Sequence, residues 1–390
     1  MKLGWGPDVG AFHAELSEFL DEHAPAEAAA ARDFAASDHD VIPQWARDWQ
    51  ATLFDHGWMI PAYAPELGGR NATPTQTMVY LEEMARRGVP RSLHFPGYAI
   101  VAPSLLEFGT PEQQALAPAA IRGDTVWCIG MSEPNAGSDL AGLQTRAEVF
   151  DDRFVLNGQK VWTSYAMWAE KCFAYVRTDP NVPKHKGISL LIVDMNTPGI
   201  EIRPLRHISG SAEFAEVFFT EVEVPRDNLV GTLNDGWRLT QGSLAHERAG
   251  LWVDSLVRIE TTISDLVALA RDRGLDTDTG YRRAIASLYE RSASLRALGY
   301  QGFAQFTNGA DAPSEHQYMK FATSELHKEC FELGMEMLGE TGAVIDGEFA
   351  EAQGRWLRSY FVSFASTIAG GTSEIQRNIV AQRVLGLPRG

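Results

Sequence analysis

Three stretches of this 390-residue chain gather residue types that could do chemistry. The first, Met131-Ser132-Glu133-Pro134-Asn135-Ala136-Gly137-Ser138-Asp139, follows the apolar run from Val126 to Ile129. Such a loop can offer backbone N–H groups and short hydroxyls to a flat heterocycle, and its glycine permits close backbone approach. A surface turn is the plainer reading, since Pro134, Asn135 and Gly137 are good turn formers. The second stretch ends in Trp162-Thr163-Ser164. There an indole could cover one face of a planar ring while Ser164 donates to its polar edge; the plainer reading is a half-buried strand tryptophan. The third is Glu247, whose neighbours one helical turn away are Ser243, Leu244, Gly250 and Leu251, none of them basic. Small, apolar surroundings raise a carboxyl pKa and suit proton abstraction; an ordinary solvent-facing Glu is the plainer reading.

These residues need elements to position them. Up to about residue 124 the pattern is helical, with Val9, Phe12, Leu16 and Phe19 at three- and four-residue steps. Thr73-Pro74-Thr75-Gln76 and Thr110-Pro111-Glu112-Gln113 each supply a Thr N-cap, a Pro at the first helical position and a Gln three residues after the cap. From 125 to 236 the chain is β-rich. Residues 145–149 and 154–156 read as strands, with Asn157-Gly158 as a two-residue hairpin turn leading into 159–162. Further strands are expected at 171–177, 187–194 and 216–224. From Trp237 the pattern is helical again. Ala245, Ala249, Trp252, Leu256, Ile259 and Ile263 share one face of a long helix, and further helices are expected at 281–306 and 315–338. The expectation is an α+β chain in three domains: helical over 1–124, antiparallel β over 125–236, and a helical bundle over 237–390.

Four stretches, in order and across nearly the whole chain, resemble the acyl-CoA dehydrogenase family. Residues 131–139 match its (T/S)EPxAGSD loop, and Asn157-Gly158-Gln159-Lys160-Val161-Trp162-Thr163-Ser164 is similar to its NGxKxW(I/T)(T/S) segment. The others are Ala245-His246-Glu247-Arg248 and Ala369-Gly370-Gly371-Thr372-Ser373-Glu374-Ile375-Gln376-Arg377. The resemblance implies a β-barrel-like middle domain, a C-terminal four-helix bundle, and FAD-dependent dehydrogenation of an acyl-CoA thioester to the trans-2-enoyl thioester. It places Met131, Ser132 and Ser138 against flavin and thioester, and Trp162, Thr163 and Ser164 on the flavin. In most members the base directly precedes the GT of the last motif. Here that position is Gly370, which can abstract nothing. A subset handling long, branched or steroid-derived acyl groups carries the base on the earlier helix, where Glu247 stands. Arg248 is then a charge-balancing neighbour on the substrate side, with Gly370 and Gly371, and His246 is a packed or polar neighbour of the base.

The same resemblance implies that Arg282 meets the FAD pyrophosphate and that Thr372 and Glu374 fall near a neighbouring subunit's nucleotide. Two segments depart from the family pattern. The usual RxxF is Arg282-Arg283-Ala284-Ile285, and the usual QxxGGxG is Glu336-Met337-Leu338-Gly339-Glu340-Thr341-Gly342. Glu336 cannot donate as Gln would, and Glu340 brings charge towards phosphates. A homo-oligomer and an α2β2 heterotetramer with a related chain both remain open. The implied partners are an acyl-CoA or acyl-carrier-protein thioester and an electron-transfer flavoprotein. The alternatives are an acyl-CoA oxidase, a flavin monooxygenase, which would not need Glu247, and a non-catalytic flavin-binding subunit.

A net charge of −17 argues against nucleic acid as the main partner. Cys128, Cys172 and Cys330 are far apart in sequence and form no CxxC pair, so neither a disulfide framework nor a metal site is expected. No apolar run is long enough to span a bilayer, and residues 1–20 lack a signal-peptide pattern, which leads to a cytoplasmic expectation. Lys184-His185-Lys186 could greet CoA phosphates, although a solvated loop between strands accounts for it as well.

Overall fold

The three- and four-residue apolar spacing near the N-terminus becomes helix α1 (Pro7–His23), which buries Phe12, Leu16, Phe19 and Leu20 on one face. The computed structural model describes residues 6–28, 42–307 and 314–388, with the side chains of 241–251, 306, 314–317 and 351 outside the description. Helix α2 (Gln44–Asp55) and helix α3 (Pro74–Arg87) follow. At the start of α3 the Gln76 amide donates to the Thr73 hydroxyl at 3.3 Å while the Thr73 amide donates to the Gln76 side chain at 2.8 Å. Both halves of the expected capping box are thus made. After a π-helical turn (Gly97–Val101) come α4 (Ala102–Phe108), α5 (Pro111–Gln114) and α6 (Ala117–Arg122). The second capping box, Thr110 with Gln113, starts only the single turn of α5. Its Gln113 amide also donates to the carbonyls of Asp227 (2.8 Å) and Leu229 (3.0 Å), which fastens the helices to the sheet.

The sheet holds eight strands: β1 (Trp127–Gly130), β2 (Arg146–Val149), β3 (Arg153–Ser164), β4 (Lys171–Arg177), β5 (Ile188–Asp194), β6 (Ile200–Leu205), β7 (Phe214–Pro225) and β8 (Leu229–Val230). Their order is β6-β7-β3-β2-β4-β5-β8, with β1 also beside β4. Most pairs are antiparallel as expected, while β4 takes β1 and β2 as parallel neighbours. Strand β4 is buried on both faces, so it reads as a near-continuous apolar run. Its Phe173 and Tyr175 pack with the N-terminal helices, and Cys172, Ala174 and Val176 pack with Phe154, Leu156 and Val217. Cys128 and Cys172, distant in sequence, are register partners across β1 and β4, and both are buried and free.

The hairpin turn expected at Asn157-Gly158 is absent. Strand β3 runs unbroken through both residues, and the chain turns between β2 and β3 at 150–152, where the Phe150 amide donates to Arg153 O at 2.9 Å. Gly158 instead has φ +151° and marks a register shift against β7. A Cβ there would come within 2.7 Å of the Thr145 Cα, so the glycine serves close backbone approach rather than chain reversal.

The remaining helices are α7 (Gly236–Asp272), α8 (Thr279–Thr307), α9 (Ser314–Leu338), α10 (Arg355–Ile368) and α11 (Ser373–Ile379). The first four pack as a bundle in which Trp252, Leu256, Ile259 and Ile263 of α7 meet Leu326, Phe331 and Trp356. Helix α7 also packs on α3 and on the π-helical turn, which couples the bundle to the N-terminal helices. Among the described residues no helix is long and apolar enough to cross a membrane.

Candidate active site

The loop after β1 is held from below by an ion pair. Lys160, inward-facing on β3 and fully buried, donates to Glu133 Oε1 at 2.8 Å and to Met131 O at 3.1 Å. Glu133 also accepts the backbone amides of Gln144 (2.6 Å) and Thr145 (2.8 Å). Burial raises a carboxyl pKa, but Lys160 and the other donors outweigh it and hold Glu133 below the ordinary carboxylate range. Burial likewise pushes the Lys160 ammonium down, with Glu133 pulling it back up. The Val161 amide closes the arrangement by donating to Ser132 O at 2.9 Å. The structure thereby brings Met131 and Ser132 against the strand that carries Trp162. Neither Glu133 nor Lys160 stood out as a functional residue in the sequence, although each lies inside a motif and their charges are opposite.

Beyond Lys160 the register of β3 against β7 shifts, and Trp162 takes φ +58°. A bulge of this kind re-aims a side chain. The indole is 58% exposed and is steadied edge-to-face by Phe214 at 5.9 Å. Thr163 is buried and its hydroxyl has no hydrogen-bond partner. Behind the strand end, the Tyr165 ring meets His94 at 5.2 Å and Trp168 at 5.8 Å. Burial pushes the His94 pKa down to about 4, so near neutral pH its Nε2–H is the donor to Trp127 O at 2.6 Å.

This edge fits a flavin ring. It offers an exposed aromatic face, the Ser132 and Ser164 hydroxyls, which make no hydrogen bond among the described residues, and the unsatisfied buried hydroxyl of Thr163. A buried polar atom without a protein partner calls for one from a ligand or water.

Of the other expected residues, those with described side chains lie off this strand edge. Ser138 is exposed on the same loop, and its neighbour Asp139 pairs with Lys184 at 2.7 Å. Residues 184–186 form a short 3₁₀ turn between β4 and β5, the solvated-loop reading of that run. Arg282 is exposed in the first turn of α8. Thr372 caps α11 by accepting the Ile375 amide at 3.2 Å, and Glu374 pairs with Arg377 at 3.5 Å. Gly370 and Gly371 take φ +65° and +97°, with their carbonyls accepting from Gln376 (3.0 Å) and Lys320 (2.7 Å). Glu247 and Arg248 fall on α7, with side chains outside the described residues.

Comparison with known proteins agrees with this architecture in every part of the chain. Models of the acyl-CoA dehydrogenase N-terminal, middle and C-terminal domains match residues 7–124, 128–222 and 234–385. Acyl-CoA dehydrogenase IpdE1 of Mycolicibacterium smegmatis is 35% identical, over 98% of each chain. Among solved structures, the Tcur3481-Tcur3483 steroid ACAD superposes with a TM-score of 0.86 at 30% identity, covering 100% of both chains. The ChsE4-ChsE5 complex of Mycobacterium tuberculosis gives a TM-score of 0.82 at 28% identity, again over 100% of both chains. The chain belongs to the acyl-CoA dehydrogenase family and is an oxidoreductase acting on CH–CH groups.

Proposed function

We propose that this protein binds FAD and desaturates the α,β bond of an acyl-CoA thioester, with Glu247 as the base. The observation that carries the reading is the sheet edge where exposed Trp162, Ser132, Ser164 and the unsatisfied Thr163 hydroxyl meet. FAD, when bound, supplies the two-electron acceptor to which the β-hydrogen leaves as hydride. With FAD bound, the Trp162 indole would cover a ring face, and Met131, Ser132, Thr163 and Ser164 would supply polar and backbone contacts at its edge. Ser138 and the loop around it orient the thioester. The α-proton passes to the Glu247 carboxylate, the Cα=Cβ bond forms, and the trans-2-enoyl thioester is released. An electron-transfer flavoprotein would be the electron acceptor. Arg282 would hold the pyrophosphate side, and Thr372 and Glu374 would fall near a neighbouring subunit's nucleotide.

Gly370 supports the assignment of the base. It stands where most family members carry their carboxylate, and its φ of +65° is a backbone conformation that side-chain-bearing residues rarely adopt. A second carboxylate in one narrow site would repel the first. The relative described as a steroid ACAD supports a bulky acyl group, and the relatives solved as two-chain complexes support a hetero-oligomer.

The test is anaerobic titration of the purified protein with a panel of acyl-CoAs while the visible flavin band is followed. Bleaching is expected with the wild type and lost in Glu247→Gln, with flavin content unchanged. Near-normal bleaching in that variant would remove Glu247 from the role.

A further inference from the structure

We propose that Glu213 is a positioning residue for the flavin-side wall: from behind the strand edge it fixes Phe214 and, through that ring, the Trp162 indole. This rests on the dehydrogenase reading above and adds to it a residue that acts through its neighbours. Trp162 (φ +58°) and Tyr165 (φ +65°) both hold left-handed backbone within one short stretch. Residues with side chains keep such backbone only where their surroundings over-determine it. Among the described residues Phe214 is the one ring that the indole meets, and an indole that is 58% exposed has little other packing to aim it.

The constraints converge on Glu213, the residue before β7. Its main-chain carbonyl accepts the Tyr165 amide at 2.8 Å, which ties the end of β3 to the start of β7. Its side chain accepts from His207 Nε2 at 2.8 Å and from the Ser211 hydroxyl. A carboxylate only accepts, so Nε2 carries a hydrogen, while Nδ1 lies 3.1 Å from the Ser209 hydroxyl. Ser209 and Ser211 are buried, so each polar group in this loop over 206–213 depends on the others. The loop also closes on itself, the His207 amide donating to Ser211 O (3.0 Å) and the Gly210 amide to His207 O (2.9 Å). Its one large apolar residue, Ile208, is exposed, so polar bonds rather than core burial set its shape. The His207 ring then packs at 5.5 Å on Phe214, the ring that meets the indole. Arg358 of α10 donates to Ser209 O at 3.4 Å, so the bundle bears on the same loop.

Truncating Glu213 leaves the His207 and Ser211 donors without their acceptor in a mostly buried loop, which must then reorganise. Phe214 loses its backing, and the indole loses the ring that aims it. Flavin affinity falls although no side chain of the wall itself has been changed, because a wall held out of place binds less well than one held in place.

The experiment is a double-mutant cycle of Glu213→Ala and Phe214→Leu, carried out on the full chain, with its partner chain if it has one. It is read on FAD dissociation and on hydrogen exchange at the Tyr165 amide. Glu213→Ala alone is expected to weaken FAD binding roughly tenfold and to speed Tyr165 exchange by about the same factor. In the Phe214→Leu background the same truncation should change FAD binding by no more than about twofold, because the two residues act as one unit. Glu213→Gln keeps an acceptor and should restore most of the affinity. Additive losses in the two backgrounds, or unchanged Tyr165 exchange in Glu213→Ala, overturn the proposal. If Glu213→Ala does not fold, His207→Ala takes its place in the cycle with the same expectations. Anaerobic addition of acyl-CoAs separates the two readings. Coupled losses with no bleaching sustain the Glu213 brace and reject dehydrogenation, whereas bleaching with additive losses does the reverse.

Discussion

At the scale of single residues, the loop after β1 depends on the buried Lys160–Glu133 charge pair. Removing Lys160 would leave the Glu133 carboxylate buried with only amide donors, and breaking such a pair typically costs ~3–5 kcal/mol. Lys160→Met is therefore expected to unfold at lower denaturant and to hold flavin less tightly, read by equilibrium denaturation and flavin fluorescence. The pair also has a pH signature. Glu133 titrates below its ordinary 4.5 in the folded protein. Its contribution is thus fully present above that value and disappears as pH falls through the lower folded value. His94 acts in a separate window. Its folded pKa of about 4 lies below the ordinary 6.5, so stability declines as pH drops from 6.5 towards 4 and then levels. In Glu133→Gln the His94 limb should survive and the most acid limb should vanish; an unchanged acid limb would show that Glu133 does not titrate there. The Trp162 motif was visible in sequence because its residue types are distinctive. The bulge that exposes the indole was not, because it arises from a register shift against β7, a strand about fifty residues away.

Elements reveal how far local signals reach. Both capping boxes were legible because a Thr, a Pro and a Gln within four residues settle them without outside help. The Asn157-Gly158 pair carries an equally local turn signal, and it misleads. What decides there is the Thr145 backbone, which lies against Gly158 and which only the folded sheet brings close. Gly158→Ala should accordingly cost about 2 kcal/mol or more, from positive-φ strain and a Cβ with no room. Thermal or urea unfolding measures this directly, and a neutral result would mean that β3 can shift its register there. Gln113 presents the opposite case, a local cap with a distant second task. Truncating it to Ala removes half of the α5 box and both bonds to the 227–229 carbonyls, a loss of roughly 2 kcal/mol. If only the capping part were lost, Thr110→Ala would cost as much; the expectation is that it costs less.

For the whole molecule, the helix–sheet–helix order was legible because the apolar period changes from helical to alternating and back. How chains assemble was not, because a partner leaves no periodic trace. The surface offers two observations. The C-terminal part exposes Ile368 (62%), Leu385 (65%) and Leu387 (53%), side chains of the kind that subunit contacts cover. Glu336 and Glu340 are both exposed and acidic, and on the proposed reading they would lie near the adenine half of FAD. On that reading, two copies of this chain would each bring that carboxylate pair towards the other's phosphates, at a Coulombic cost. A related chain with donors at those positions would not. The chain expressed alone is therefore expected to carry less than a full complement of flavin, and co-expression with a related chain should raise occupancy and yield a single larger species. Flavin absorbance per protein and light scattering measure both. A homo-oligomer fully loaded with flavin would show that Glu336 and Glu340 turn away from the nucleotide, and the hetero-oligomer would lose its physical basis.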